Sequence, residues 1–237
     1  MKPNRRLRAS AAEPFLISRL PVAVWVFLCL CLSCAHLHAF EVGPAQIEIE
    51  PYVKGGTIAW DQLSGTGGHK SLVGLGVNGI AAFGRVGGAL NAEKWWVAEG
   101  LDDDKGIIPD TGYRFSADVR YLFTPADDLR LYPFAGLGYE HWSRSDAVGS
   151  WRSIDFPFAS LGAGVDYRSG FFKIGVLMPF AATADDGPDP KSRVGVTADA
   201  GLRIFNCVLG MFFRSVGFES PDAKMVQAGV MVGYTLK

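Results

Sequence analysis

The sequence predicts an all-β protein, a single antiparallel transmembrane β-barrel of about ten strands, with eight strands as the alternative. Three observations support this prediction: hydrophobic side chains alternate with period two, short and long connections alternate along the chain, and the composition suits strands. The 237 residues include 29 glycines, and 12% are aromatic, which is typical of β-barrels. With 20% charged residues, the chain is too polar for a bundle of membrane helices.

Residues 1–39 are predicted to be a signal peptide, which leaves 40–237 as the barrel domain. Basic residues come first and are followed by an apolar run from Leu20 to Leu32. This run has the length of a signal-peptide core and is too short to span a membrane as a helix. Cleavage is expected after Ala39, and the mature protein is therefore expected to be exported.

Two alternatives to an ordinary cleaved signal peptide remain open. Arg5-Arg6 permits a twin-arginine signal, and Cys34 permits a lipoprotein anchor. Beyond residue 39 the only cysteine is Cys207, so no internal disulfide is expected. Removing the signal takes away five basic residues and one acidic residue, which makes the chain more acidic than its full-length net charge of -1. This balance argues against a nucleic-acid partner, and no residue pattern predicts a cofactor or a metal.

Period-two alternation is clearest in residues 113–123, where apolar side chains alternate with Arg114, Asp118 and Arg120. A strand places these two sets on opposite faces, whereas a helix would mix them. Each segment that alternates in this way is long enough for a tilted membrane span. The ten predicted strands are 46–60, 71–83, 85–98, 113–123, 131–143, 154–167, 171–182, 193–205, 207–217 and 225–236. The eight-strand alternative arises if the weakly alternating residues 71–98 pair differently.

The connections between these strands alternate between short and long. Short turns are predicted near Gly84, 124–130, Ser169-Gly170 and Asn206. Longer polar loops are predicted near 61–70, 99–112, 144–153, 183–192 and 218–224. Outer-membrane barrels have short periplasmic turns and long external loops. The pattern therefore predicts a barrel in the cell outer membrane with both chain ends on the periplasmic side.

The polar faces of the predicted strands carry charges of both signs. Alternation alone does not tell which face is inside, and a soluble periplasmic barrel with a polar exterior is an alternative. Charges of both signs can pair in a narrow lumen, which avoids an uncompensated charge in low dielectric. The predicted lumen charge network is Glu48, Glu50, Lys54, Arg114, Asp118, Arg120, Glu140, Asp166, Lys173, Arg193, Asp199, Arg203 and Arg214.

Glycines and aromatic residues follow the same division of faces. The glycines of the polar face are expected to leave room for long Arg and Lys side chains; they are Gly74, Gly76, Gly136, Gly138, Gly162, Gly164, Gly195 and Gly201. Aromatic residues of the apolar face are expected to form two belts at the membrane surfaces. The belt at the short turns contains Phe83, Phe123, Tyr167, Phe172 and Tyr234, and the belt at the long loops contains Trp96, Tyr113 and Tyr139.

Two segments carry a resemblance to a known family. Residues 131–140, Leu-Tyr-Pro-Phe-Ala-Gly-Leu-Gly-Tyr-Glu, and residues 158–167 resemble successive strands of the small OmpA-like and opacity-like outer-membrane barrels. The resemblance implies the barrel fold, insertion by the barrel-assembly machinery, and contact with outer-membrane lipid and lipopolysaccharide. It implies no single activity and no oligomeric state. The chain departs from the family at its end, where Tyr234-Thr-Leu-Lys237 replaces the usual terminal aromatic residue.

Two functions follow as hypotheses. The first is a non-enzymatic barrel with a narrow charged lumen that has a structural, surface-interaction or limited small-solute role. The second is a lipid A-modifying enzyme, because His141 and Ser143 share an outward face and are similar to the His-x-Ser of barrels that deacylate lipid A. Arg144 stands where those enzymes have Asn, and Asp155 is only a candidate for the orienting acid. The acidic loops 102–104 and 185–189 lack the spacing of a calcium loop and are interpreted as solvated.

Overall fold

The computed structural model describes residues 46–62, 68–97, 109–144, 152–185, 189–220 and 222–236. The predicted signal peptide, the acidic loop 102–104 and most of the predicted external loops lie outside these residues. No helix among the described residues is long and apolar enough to cross a membrane.

The described residues form twelve β-strands, of which ten are long. The strands are β1 (Gln46–Gln62), β2 (Gly68–Phe83), β3 (Val86–Val97), β4 (Thr111–Tyr121), β5 (Phe123–Ala126), β6 (Leu129–Ser143), β7 (Ser153–Tyr167), β8 (Gly170–Pro179), β9 (Thr183–Ala184), β10 (Lys191–Ile204), β11 (Cys207–Ser220) and β12 (Asp222–Tyr234). Strand β5 extends the β4–β6 hairpin, and β9 pairs with the outer end of β7.

The ten long strands close into one antiparallel barrel. Neighbours pair in the order β1-β2-β3-β4-β6-β7-β8-β10-β11-β12, and β12 returns to β1. Backbone hydrogen bonds between Ile49 and Leu236, at 2.9 and 2.8 Å, extend the closing pair beyond β12. A closed barrel leaves no unpaired strand edge, which a lipid environment would not tolerate.

The predicted strands are confirmed, and the eight-strand alternative is wrong. Residues 71–98, where the alternation is weak, form two full strands that pair continuously from Leu72 opposite Val97 to Phe83 opposite Val86. Their pattern is weak because small residues occupy both faces: Ala81 and Gly88 face outward, and Ala82 and Gly87 face inward. These small side chains do not obstruct backbone pairing. The backbone therefore pairs along both strands, and the barrel has ten long strands.

The short turns use left-handed backbone conformations. Gly84 has φ 58° in the turn between β2 and β3, where glycine adopts this conformation without steric cost. Arg168 and Phe205 have φ 51° and 55° in the β7–β8 and β10–β11 turns, where a side chain makes the same conformation less favourable. These two-residue turns fix the register of their hairpins and mark one end of the barrel, which holds both chain ends of the described fold.

The predicted long loop at 218–224 is wrong. Strand β11 runs to Ser220 and β12 begins at Asp222, with Glu219 opposite Asp222. The alternation continues into this hairpin, because Phe218 and Met225 are buried inside the barrel. The hairpin is therefore part of the barrel wall and brings two large apolar side chains into the lumen.

Candidate functional site

The exterior of the barrel is apolar. Outward side chains in the middle of the strands are strongly exposed, for example Val119 at 64% and Leu137 at 63%. A water-soluble protein rarely exposes so continuous an apolar surface. The aromatic residues predicted for two belts lie on this outward face at the two ends of the strands. Phe205, at a short turn, is 98% exposed and adds to one of these belts.

Twelve of the thirteen predicted lumen residues lie at inward-facing positions of their strands. The exception is Arg193, which lies opposite outward-facing Gly217, beyond a β-bulge in β10. Near the short-turn end, Arg203 contacts Glu50 at 3.1 Å and Asp166 at 3.5 Å. The hydroxyl of Thr235 donates a 3.1 Å hydrogen bond to Glu50. This group joins β10 to strands β1, β7 and the C-terminal segment. Glu48 lies half-buried one inward position before Glu50.

A second ion-pair group is centred on Asp118. Arg120, on the same strand, binds it through two nitrogens at 2.6 and 3.2 Å. Lys173 of β8 binds the same carboxylate at 2.9 Å from across the lumen. Two cations around one carboxylate leave a local excess of positive charge. Asp199 of β10 lines the same space and makes no ion pair with any residue of the described part of the chain.

A third group contains a residue that the sequence prediction missed. Lys54 pairs with Glu93 of β3, and Tyr52 donates a 2.9 Å hydrogen bond to Glu93. Asn91 in turn donates to the Tyr52 hydroxyl at 2.9 Å and to Asn78 at 2.6 Å. Glu93 was missed because Lys94 and Trp95 follow it, so charge and bulk do not alternate there and the inward face of β3 is not evident from sequence.

The most deeply buried ion pair joins Arg214 of β11 to Glu140 of β6. Two guanidinium nitrogens bind the two carboxylate oxygens, and Nη1 lies 2.7 Å from Oε1. The indole nitrogen of Trp142 donates a 2.6 Å hydrogen bond to the same Oε1. Glu140 is 0% exposed. A buried pair needs this many hydrogen bonds, because removal from water costs several kcal/mol for each ion.

Two further predicted network members, like Asp199, take no part in these ion-pair groups. Arg193 is near the outer rim, where its Nε is 3.9 Å from a carboxylate oxygen of Glu219 and both side chains are about half exposed. Arg114 is inward-facing on β4 and makes no ion pair within the described residues. Its guanidinium carbon lies 5.0 Å from the centre of the Phe158 ring.

The inward glycines accommodate mainly aromatic rings, which corrects the expectation that they make room for Arg and Lys. A Cβ at Gly76 would lie 2.3 Å from the ring of Tyr52, and one at Gly164 would lie 2.3 Å from the ring of Tyr132. Among the inward glycines of the described strands, Gly74 is the one whose nearest neighbour is a cationic side chain, that of Lys54. Several of these rings also make cation–π contacts. For example, Lys173 Nζ lies 4.2 Å from the centre of the Phe134 ring.

The outer half of the lumen is filled by an apolar cluster that the sequence prediction did not include. We call it the aromatic plug, although it also holds aliphatic side chains. Trp142, Phe156 and Phe218 pack edge to face with ring centres 4.9 to 5.7 Å apart. The plug consists of Ile58, Leu72, Trp95, Trp142, Ile154, Phe156, Phe158, Leu177, Ala182, Val216, Phe218 and Met225.

A cavity of about 150 Å³ lies in the lumen beneath the plug. Its walls include Glu50 and Arg203 near the short-turn end, and Arg214 and Gln227 near the plug. Charged side chains from at least six strands reach it. Within the described ranges, no group of three or more His, Cys, Asp or Glu side chains is arranged to hold a metal ion.

The outward face carries a separate polar group near the external rim. His141 Nδ1 lies 2.7 Å from Oδ1 of Asp155, and the Tyr139 hydroxyl donates to the same oxygen. The Tyr113 ring stacks on His141 with ring centres 4.7 Å apart. Ser143 faces outward two residues further along β6 and is not hydrogen-bonded to His141 among the described residues. The structure therefore brings the predicted His and acid together, but not His141 and Ser143.

No protein-family model matches the sequence, and the search of curated proteins gives no match. Among solved structures, the chain is similar to Neisserial surface protein A, with 11% identity and a TM-score of 0.40 over 81% of this chain and 99% of that one. It is also similar to the outer membrane protease OmpT from Escherichia coli, with 12% identity and a TM-score of 0.39 over 83% and 98% of the two chains. Similarity at this level says nothing of a shared activity.

Proposed function

We propose that this chain is a closed outer-membrane β-barrel with a structural or surface-interaction role that passes at most small solutes. In this proposal a cleaved signal peptide directs export, and the barrel-assembly machinery inserts the barrel into outer-membrane lipid and lipopolysaccharide. The observation that carries the proposal is the filling of the lumen. The aromatic plug occupies its outer half, and three ion-pair groups cross its inner half.

The exterior supports residence in a membrane. A soluble periplasmic barrel would place its charged face outward and its apolar face inward. Here twelve of the thirteen predicted charged residues face inward, and the outward rows are aliphatic and aromatic. The fold of the backbone supports the same reading, since a closed barrel satisfies every strand without water.

Planar-bilayer recording tests the closed lumen. We expect the wild-type protein to show little or no steady conductance. A triple variant Trp142→Gly, Phe156→Gly, Phe218→Gly removes the centre of the plug and is expected to raise conductance. The outward variant Phe115→Gly is the control and should behave as wild type. A large steady pore formed by the wild-type protein would overturn the proposal.

A second candidate function is hydrolysis of a lipid ester at the outward polar group. The observation that favours it is the 2.7 Å contact between His141 Nδ1 and Asp155. If Nδ1 donates to that carboxylate, Nε2 is left as an acceptor, which is the form a general base needs. The group also lies on the lipid-facing side, where an acyl substrate would be found. Catalytic hydrogen bonds can tighten only when substrate is bound, so the missing Ser143–His141 bond does not decide the question.

Mass spectrometry of lipid A tests this second candidate. Cells that express the wild-type chain would lose an acyl chain from lipid A, and cells that express Ser143→Ala would not. Ser153→Ala is a matched control, because Ser153 lies opposite Ser143 in the register. Identical lipid A from wild-type and Ser143→Ala cells would reject the enzymatic function and leave the structural one in place.

A further inference from the structure

We propose that the lumen cavity, at its end next to the aromatic plug, binds a small monovalent anion between Arg114, Arg214 and Gln227. The site lies directly beneath the aromatic plug, and all three residues line the cavity. Each of the three side chains has a buried polar atom with no hydrogen-bond partner among the described residues. Such a site is independent of the physiological role proposed above.

Arg114 is a half-buried cation, and the two carboxylates beside it in the register are already paired. In the register it lies between Glu93 of β3 and Glu140 of β6. Glu93 pairs with Lys54, and Glu140 pairs with Arg214. Arg114 Nε is buried and has no hydrogen-bond partner among the described residues, and its guanidinium lies over the ring of Phe158. A guanidinium in a low-dielectric site is strongly stabilised by a counter-charge, and none of the described residues supplies one by direct contact.

Two further groups point to the same place. Arg214 uses its two terminal nitrogens on Glu140, while its Nε is buried without a partner. Gln227, opposite Arg214 in the register, is 0% exposed, and neither atom of its amide has a partner. Native structures rarely leave several buried donors unsatisfied in one place, and an unobserved ion or water is the usual explanation.

The local charge favours an anion. Six cationic side chains line the cavity, against four carboxylates, which are Glu50, Glu93, Asp118 and Asp199. Arg120, Lys173 and Arg203 line the rest of the cavity toward the short-turn end, where an anion could enter. Asp199 also lines the cavity and disfavours a multiply charged ligand. The cavity of about 150 Å³ suits a halide or a formate-sized carboxylate with accompanying water.

Bromide substitution tests the site directly in the wild-type protein. Crystals grown from detergent in sodium bromide are expected to show an anomalous peak within hydrogen-bonding reach of Arg114 and Gln227. Crystals grown in sodium formate are expected to show planar density at the same place, which separates a carboxylate from a halide as the bound form. Water alone at this position in both crystals would overturn the proposal.

Thermal unfolding provides a second test that does not require crystals. At equal ionic strength, chloride should raise the unfolding midpoint of the wild-type protein relative to gluconate, which is too large for the cavity. Arg114→Gln should abolish this difference. Arg168→Gln, which changes an exposed turn residue, should retain it. An equal chloride effect in wild type and Arg114→Gln would overturn the proposal.

Discussion

The two halves of the lumen are filled by different chemistry. The outer half is the aromatic plug, whose members are all apolar or aromatic. The inner half contains ion pairs, aromatic rings laid over glycines, and a cavity. The plug excludes solvent mainly by packing, although Trp142 also donates to Glu140 and Phe158 contacts Arg114, whereas most charges in the inner half are matched by an opposite charge. A barrel can therefore be closed in two ways, and substitutions in each half measure how much stability that half contributes.

The largest effect is expected at the boundary between the halves. Glu140→Gln leaves Arg214 buried without a counter-charge, and we expect it to destabilise the folded barrel by about 3–5 kcal/mol. Denaturant unfolding in detergent, followed by heat-modifiable mobility, measures the loss. The double variant Glu140→Gln, Arg214→Met removes both charges and should recover part of the stability. A double variant as unstable as the single one would show that the pair itself is not what matters.

Within the plug, Phe156→Ala is expected to cost about 3 kcal/mol, because it removes a fully buried ring and leaves a cavity between Trp142 and Phe218. The matched control is Phe115→Ala, which changes an exposed outward ring. The same unfolding measurement should give a smaller loss for the control. Equal losses for the two variants would contradict the description of the plug as a packed core.

In the inner half, Gly164→Ala is expected to cost about 2 kcal/mol, since its Cβ would overlap the ring of Tyr132. The natural control is Gly79→Ala, because a Cβ at Gly79 meets nothing within 4 Å. Unfolding midpoints of the two variants should differ clearly. If Gly164→Ala is as stable as Gly79→Ala, the ring of Tyr132 moves without cost and does not fix the inner lumen.

The smallest effect is expected at the surface. Asp128→Asn removes the pair between Asp128 and Arg168, whose side chains are 65% and 69% exposed. Exposed pairs contribute little, so the unfolding free energy should change by less than about 0.5 kcal/mol. A larger change would mean that this short turn contributes more to the barrel than its exposure indicates.

The strands could be predicted from sequence because their signal is local. Apolar and polar residues alternate at consecutive positions, as in residues 113–123. This local pattern predicts the ten strands and, for most of them, which side chains face inward. The charged residues of these strands also fall on the inward face, as at Asp118 and Lys173. The alternation does not predict which charged residues pair with each other, because the partners lie on strands that are distant in the sequence.

The aromatic plug and the role of the glycines could not be predicted for related reasons. Ile58, Leu72 and Trp95 stand near strand ends, where an apolar residue is compatible with either face or with a loop. Their convergence depends on the tilt and closure of the whole barrel. The ring of Tyr132 reaches Gly164 only because β6 and β7 pair in one register. The pairing of Glu219 with Asp222 was also not predicted, because the polar residues of this hairpin are typical of loops.

The orientation of the two faces is the central claim, and spin-label accessibility tests it most directly. A nitroxide at Val119→Cys, in a Cys207→Ser background and in liposomes, should collide more often with oxygen, which dissolves in lipid, than with a water-soluble nickel chelate. Val119 lies in the middle of an outward apolar row. Greater accessibility to oxygen is the result we predict. Greater accessibility to the nickel chelate would place this face in water and contradict the membrane barrel.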